Sequence, residues 1–99
     1  MTRLAIIVRI EVTTGSRDQL LRFLMAHRAR CLRDEPGLTL QLEVLAPYDD
    51  APRALTYEVY RNDAAFEMHR NGRSLAQFRE DTAGMILKTE VTKCALLAG

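Results

Sequence analysis

Residues 4–12 read LAIIVRIEV, and this stretch decides how the chain folds. Every second residue from Leu4 to Val12 is a leucine, an isoleucine or a valine, whereas Arg9 and Glu11 fall between them. Alternation with a period of two, together with β-branched residues, is typical of a strand with one buried face. The stretch therefore predicts the first strand of a sheet that is covered on one side.

A turn and a helix follow this strand. Gly15 permits the turn, and Ser16 with Gln19 fits a capping box, in which the serine caps the helix and the glutamine reaches back. Apolar and histidine side chains then recur at helical spacing: Leu20, Phe23, Leu24, His27 and Cys31. Such a stripe predicts a helix packed on the sheet, and residues 34–37 (DEPG) end it, because proline disfavours a helical residue before it.

The middle of the chain predicts a hairpin. Residues 38–45 and 55–60 alternate as strands on either side of a polar loop. In the first of these strands, the leucines at 38, 40 and 42 share one face with Val44, whereas Thr39, Gln41 and Glu43 share the other.

The last third predicts a divided helix and a final strand. Asn62 or Asp63 caps a short helix, and Asn71-Gly72 interrupts it. A second capping box, Ser74 with Gln77, starts another helical piece. Residues 87–97 form the last strand. The order strand–helix–strand–strand–helix–strand defines an α+β, ferredoxin-like fold, an antiparallel four-stranded sheet with its helices on one face.

The other face of this sheet has no cover in a single chain. Alternation places five residues on it or near it: Ala5, Ile7, Leu45, Cys94 and Leu96. Residues 94–98 (CALLA) are apolar on both faces, which a free edge strand should not be. We therefore expect a homodimer in which two open sheets pack face to face. The alternative is that the C-terminal run closes the chain's own core.

Composition limits the class of protein. A chain of 99 residues is one domain, residues 1–99, and 47% hydrophobic with 27% charged residues is ordinary for a globular protein. The net charge of +1 argues against nucleic-acid binding, and no apolar run has membrane-spanning or secretory character. Cys31 and Cys94 lack metal or redox spacing, so we expect two buried thiols in a reducing cytoplasm.

A second stretch, residues 57–70 (YEVYRNDAAFEMHR), carries a family resemblance. It combines an aromatic-Glu-x-aromatic strand end, an acidic cap, Ala-Phe, and a histidine three residues later. The break Glu35-Pro36-Gly37 and the turn at Gly15 fit the same pattern. With these motifs, the chain resembles the antibiotic biosynthesis monooxygenase family over nearly its whole length.

The resemblance implies a dimeric ferredoxin-like fold, the dimeric α/β barrel, and a range of activities. The family includes cofactor-free oxygenases of quinols and anthrone-like polyketides, an enzyme that processes a quorum signal, and haem-degrading enzymes. The haem-degrading branch uses an Asn, a Trp and a His. This chain has no Trp, Val8 stands near the Asn position and Arg79 near the His position, so the resemblance implies no haem. Where many members carry a second histidine, this chain has Ser74.

His69 and Glu58 are the predicted catalytic residues. Histidine titrates nearest to neutral pH, and His69 shares a helical side with Ala65 and Phe66, so it should point toward the sheet. Glu58 lies in an otherwise apolar strand, where a buried carboxylate requires a partner, and we expect it to orient His69. The alternatives are a histidine that only fixes its helix and a glutamate that pairs across the dimer or faces solvent.

The predicted substrate-binding residues are aromatic or histidine side chains: Tyr57, Tyr60, Phe23, His27, Phe66 and Phe78. Tyr57 and Tyr60 differ in parity, so only one of them can face the helices. The others would line a pocket beneath the helices, and plain core packing is the alternative for each. No nucleophile motif, phosphate loop, dinucleotide-binding pattern or metal-ligand spacing occurs, so we expect neither a cofactor nor a metal.

Two classes of function fit these residues. The first is a cofactor-independent monooxygenase of a small aromatic or cyclic substrate, such as a quinol, a phenol or a polyketide-like compound. In it, His69 takes a proton, and a tyrosine or an arginine holds the resulting anion. An isomerase that uses the same pocket fits equally well. The second class is a non-catalytic dimeric module that binds a small ligand, for example in a stress response.

Overall fold

The computed structural model describes residues 2–97, and Met1, Ala98 and Gly99 lie outside the described residues, so the last position of the predicted apolar run 94–98 is outside them too. The elements are, in chain order, β1 (Arg3–Val12), α1 (Arg17–Asp34), β2 (Thr39–Leu45), β3 (Arg53–Tyr60), α2 (Asp63–Arg70), α3 (Arg73–Asp81) and β4 (Ile86–Leu96). The predicted order of strands and helices is confirmed, with the second helix divided in two.

The four strands form one antiparallel sheet in the order β2-β3-β1-β4. Within it, Ile6 lies opposite Glu58, and Ile10 lies opposite Ala54. These residues face the helices, because Ile10 packs against Leu24 of α1 in a cluster of buried side chains, here called the main core. The predicted ferredoxin-like fold, with all helices on one side of the sheet, is confirmed.

Two clusters of buried side chains hold the layers together. The first joins Ile10 of β1 to Leu20 of α1 and Phe78 of α3. The second joins Ile6 of β1 to Tyr60 and to Phe66 of α2. Complete burial of an aliphatic side chain of this size contributes about 1.5–3 kcal/mol, so each cluster fixes a helix on the sheet.

Strand β2 departs from simple alternation. Thr39 lies opposite Tyr60 while Gln41 lies opposite Val59, so the register shifts between the two β2 residues. As a result Thr39 turns to the helix side, where it is buried. The prediction that Thr39 and Gln41 share one face of the strand was therefore wrong. An extra residue in one strand of a pair exchanges the two faces of that strand beyond it.

The predicted cap positions are confirmed for Ser16 and Asn62, but only Asn62 makes a capping hydrogen bond. Asn62 caps α2, since its side chain accepts a hydrogen bond from a backbone N–H of the first turn. Ser16 makes no such bond, because its hydroxyl pairs with that of Thr13 at 2.7 Å. In α3 the cap position belongs to Gly72, and Ser74 is buried inside the first turn. Both predicted capping boxes were therefore wrong.

The side of the sheet that faces away from the helices is called the open face. Its register pairs include Ala5 with Cys94, Ile7 with Tyr57, and Leu45 with Leu55. All five residues predicted for it lie there, and its apolar members are Ala5, Ile7, Leu45, Leu55, Tyr57, Val59, Cys94 and Leu96. Cys31 is buried as expected, but Cys94 is only half-buried.

No helix within residues 2–97 combines the length and the apolar character needed to cross a bilayer.

Candidate active site

A cavity of about 460 Å³ opens between the helices and the β1–β4 side of the sheet. It forms because α1 and α2 pack mainly on β2 and β3, which leaves space above β4. Its walls come from six elements: Val8, Ile10, Leu24, His27, Thr56, Glu58, Phe66, His69, Arg70, Leu75, Phe78, Arg79, Ile86, Thr89, Val91 and Lys93. The volume falls in the range of small-molecule sites, and the lining is mostly apolar with a few convergent polar groups.

His69 is held by Glu35. Nδ1 of His69 lies 2.8 Å from Oε1 of Glu35, and the histidine is only 3% exposed. Helix α2 aims His69 inward because Ala65 and Phe66 bury the same side of that helix. Glu35 stands at the C-terminal cap of α1. A carboxylate at Nδ1 fixes the proton on that nitrogen and fixes the orientation of the ring.

The second ring nitrogen of His69 faces the cavity. Nε2 has no hydrogen-bond partner among residues 2–97. Among residues 2–97, two side-chain polar atoms are both inaccessible to solvent and without a hydrogen-bond partner, Arg30 Nε and Thr39 Oγ1. Nε2 of His69 also lacks a partner but is not among these inaccessible atoms. Because His69 lines the cavity, Nε2 is exposed to the cavity. With the proton on Nδ1, Nε2 carries a lone pair that can accept a proton.

His27 is a neutral neighbour of this pair. Its ring centroid lies 5.5 Å from that of His69 and 5.3 Å from that of Phe78. Nδ1 of His27 donates to the backbone carbonyl of Ser74 at 3.2 Å. Burial, and then the nearby His69, lower the pKa of His27 to about 4. His27 therefore stays uncharged at neutral pH.

Cys31 lies between the two histidines. Its Sγ is 3.5 Å from Nε2 of His27 and 3.9 Å from Nδ1 of His69. Burial, followed by the carboxylates of Glu35 and Glu58, raises the pKa of the Cys31 thiol to about 12. The thiol stays protonated at neutral pH and is a poor nucleophile.

Glu58 has partners other than His69. Its carboxylate accepts hydrogen bonds from the Thr56 hydroxyl at 2.6 Å and from the Tyr60 hydroxyl at 2.5 Å. Burial and the adjacent Glu58 raise the pKa of Tyr60, so its hydroxyl remains a donor. The prediction that Glu58 orients His69 was wrong, since the carboxylate bound to His69 belongs to Glu35. Glu58 does line the cavity.

The predicted substrate-binding residues divide into two groups. His27, Phe66 and Phe78 line the cavity, as does the predicted base, His69. Three others are not in its walls. Tyr57 is on the open face, opposite Ile7; Tyr60 is fully buried beneath Phe66; and Phe23 packs partly buried against the main core.

Three cationic side chains stand at the mouth of the cavity. Lys93 is paired with Asp63 at 2.8 Å, and Arg70 is paired with Glu67 at 3.3 Å. Arg79 has no ion-pair partner in the part of the chain that the structure describes. Its guanidinium is therefore the one in this group that a bound anion can engage without breaking an existing pair.

Glu35 is the functional residue that sequence reasoning missed. In the sequence, residues 34–37 predict the end of the first helix and do not indicate a site residue. A signal was present nonetheless, since His27, Cys31 and Glu35 are four residues apart and lie on one face of α1. This spacing indicates a site only together with His69, which lies on α2, 34 residues after Glu35.

The fold and the cavity together define a class, small α+β domains with ferredoxin-like topology and a histidine–carboxylate pair beneath the helices. Residues 3–81 match the family model described as antibiotic biosynthesis monooxygenase. The chain belongs to this family, which confirms the resemblance seen in residues 57–70.

Solved structures share the fold of this chain. PA3566 from Pseudomonas aeruginosa is 28% identical, with a TM-score of 0.86 and coverage of 99% of this chain and 97% of that one. NE2512 from Nitrosomonas europaea, a protein of unknown function, is 25% identical, with a TM-score of 0.81 and coverage of 100% and 93%. A candidate antibiotic biosynthesis monooxygenase from Nitrosomonas europaea is 19% identical, covers 98% and 92%, and shares the fold with a TM-score of 0.88. No curated protein matches the chain.

Proposed function

We propose that this protein is a cofactor-independent monooxygenase of a small phenolic, quinol-like or polyketide-like substrate, with His69 as the general base. One observation carries the proposal. His69 has Nδ1 bound to Glu35 at 2.8 Å, whereas Nε2 is open to a largely apolar cavity. A general base needs this combination of a fixed tautomer and a free lone pair within reach of the substrate.

The chemistry uses the electrons of the substrate. Nε2 of His69 accepts the proton of the substrate, and Glu35 stabilises the imidazolium that forms. The resulting anion passes an electron to dioxygen, and the two radicals combine to form a carbon–oxygen bond. The proton on His69 then returns to the peroxide oxygen, so that the substrate and dioxygen together become a hydroperoxide. Where the carbon of this hydroperoxide carries a hydrogen, cleavage of the O–O bond and loss of that hydrogen release water and leave one oxygen atom as a carbonyl. Each step needs only this chain's side chains and the two reactants.

The anion requires a counter-charge, and Arg79 is placed to supply it. Arg79 stands at the cavity mouth without an ion-pair partner among the described residues. A planar guanidinium presents parallel N–H donors that suit an oxygen anion. Phe66 and Phe78 provide apolar walls against which an aromatic ring can lie.

We also propose that two copies pair through the open face. This face carries eight apolar side chains, and Leu45 within it is 46% exposed. Charged residues such as Arg9 and Glu90 lie opposite each other toward one end of the same face. An apolar centre with charged residues at its edge is the usual make-up of a protein interface.

Oxygen uptake with a reduced naphthoquinone tests the proposed reaction. The wild-type protein should consume oxygen faster than the uncatalysed control, and His69→Ala should lose this excess while keeping its circular dichroism spectrum. Equal uptake by the two proteins would remove His69 from the mechanism. If the wild-type protein binds the ligand without oxygen uptake, the monooxygenase proposal fails in favour of an isomerase or a binding module.

A further inference from the structure

Three side chains that bind soft metal ions meet beside the cavity floor. His27 and Cys31 are one turn apart on α1, and His69 approaches them from α2. One ligand atom of each lies within 4.8 Å of the others, and all three residues are buried. Sγ of Cys31 is 3.5 Å from Nε2 of His27 and 3.9 Å from Nδ1 of His69.

These separations resemble the edges of a tetrahedron around zinc. Bonds of about 2.3 Å to sulfur and about 2.0–2.1 Å to nitrogen place the two ligand atoms about 3.5 Å apart at the tetrahedral angle. Small rotations of the His69 ring would bring the longer separation to this value. Oε1 of Glu35 lies 2.8 Å from Nδ1 of His69 and stands one further turn along the same face of α1. It is hydrogen-bonded to one of the three ligands but lies outside the group whose ligand atoms are within 4.8 Å of one another, so three protein ligands leave the fourth position for water.

We propose that His27, Cys31 and His69 form a binding site for one zinc ion, with water at the fourth position. The donor set contains one thiolate and two imidazoles, and borderline-soft divalent ions prefer such sets. The thiolate and the nearby carboxylate of Glu35 offset the charge of the dication, which limits the cost of burying it.

The protonation states suit this assignment. Nδ1 of His27 donates to the backbone carbonyl of Ser74 at 3.2 Å, so Nε2, the nitrogen nearest to Cys31, offers its lone pair to the metal. Cys31 releases its thiol proton when the metal binds, as cysteine ligands do. The positive charge of Arg30 lies near His27, but its guanidinium is 4.0 Å from the carboxylate of Asp81. The ion enters through the cavity, which both histidines line.

Zinc here would act against the oxygenase reaction, and this consequence rests on the proposed function. A metal bound to Nδ1 of His69 moves the ring proton to Nε2 and breaks the hydrogen bond between Nδ1 and Glu35. Nε2 then donates instead of accepting, so His69 cannot take a proton from the substrate.

Titration of the full untagged chain with cobalt(II), a spectroscopic substitute for zinc, tests the site itself. The wild-type protein should show a thiolate-to-cobalt charge-transfer band and the intense visible bands of tetrahedral cobalt, and added zinc should abolish both. Cys31→Ser should lose the charge-transfer band. Cys94→Ser, which alters the other cysteine, should keep it.

The absence of the band in the wild-type protein, its persistence in Cys31→Ser, or its loss in Cys94→Ser would each overturn the proposal. Folding of both variants is checked by circular dichroism, and His27→Gln provides a second test through the loss of the tetrahedral visible bands. These spectra do not depend on substrate. A band without any oxygen uptake would therefore support the metal site while the proposed reaction fails.

Discussion

Oε1 of Glu35 lies 2.8 Å from Nδ1 of His69, and this contact joins the end of α1 to the last turn of α2 across 34 residues of sequence. The glutamate side chain is 11% exposed and the histidine side chain 3%. Hydrogen bonds to charged partners strengthen as water is excluded, so the pair both fixes a tautomer and ties two helices together.

Glu35→Gln should lower the rate of oxygen uptake about 10- to 100-fold, because loss of an orienting hydrogen-bond partner commonly costs this much. An amide can still contact Nδ1, but it does not stabilise the imidazolium. The measurement is kcat with a reduced naphthoquinone. Glu80→Gln, which alters an exposed glutamate of α3 outside the cavity wall, is the control and should match the wild-type rate. A wild-type rate in Glu35→Gln would contradict the role given to Glu35.

Arg79→Gln should raise KM for a phenolic substrate more than it lowers kcat, since the guanidinium is expected to bind the anion at the cavity mouth. The change should be roughly 5- to 30-fold, the effect of about 1–2 kcal/mol lost from a charged hydrogen bond. Arg22→Gln on α1 is the matched control, because Arg22 is not in the cavity wall. Unchanged KM in Arg79→Gln would show that the anion is bound elsewhere.

The fold could be read from the sequence because its signals are local. Alternation in residues 4–12 and the stripe of α1 each define an element without knowledge of the other. The site depends on contacts between elements, which no local pattern encodes. The two carboxylates of the site illustrate the difference. Thr56, Glu58 and Tyr60 share one strand face, so the hydrogen bonds of Glu58 could be predicted. The approach of Glu35 to His69 depends on how α1 and α2 dock, so it could not.

Tyr60→Phe should destabilise the fold by about 1–3 kcal/mol, because it leaves the buried Glu58 carboxylate with one donor fewer. The free energy of unfolding from urea denaturation measures the change. Tyr48→Phe removes a hydroxyl from a fully exposed tyrosine and should be neutral. If both variants unfold at the same urea concentration, the carboxylate does not depend on the Tyr60 hydroxyl.

The free energy of unfolding should rise with pH between about pH 4 and pH 6.5, because the pKa of folded His27 is about 4 against 6.5 when it is unperturbed. In this window the unfolded chain binds a proton at His27 that the folded chain does not, so acid favours unfolding. The contribution is about 3 kcal/mol at most.

His27→Gln should flatten this dependence, as measured by urea unfolding at pH 5 and pH 7. Other groups titrate in both proteins, so their effects cancel in the comparison. Parallel stability curves for the variant and the wild type would show that His27 is not the group responsible.

Ile7→Glu should convert the proposed dimer to a monomer, because it places a carboxylate at the centre of the open face. Sedimentation velocity at micromolar concentration measures the change. Met25→Glu, on the outer side of α1 and 53% exposed, introduces the same charge on an apolar surface residue and should leave the sedimentation coefficient unchanged. A wild-type protein that sediments as a monomer would refute the pairing.

Strand β4 pairs with β1 along one edge and, within the described residues, presents its other edge to solvent for 11 residues. A free row of amide and carbonyl groups can recruit any extended peptide and seed fibrils. Lys88, Glu90 and Lys93 lie on this strand, so an added strand would place its own side chains beside these charges, and an apolar strand would have to desolvate them. These side chains therefore act as gatekeepers against polymerisation.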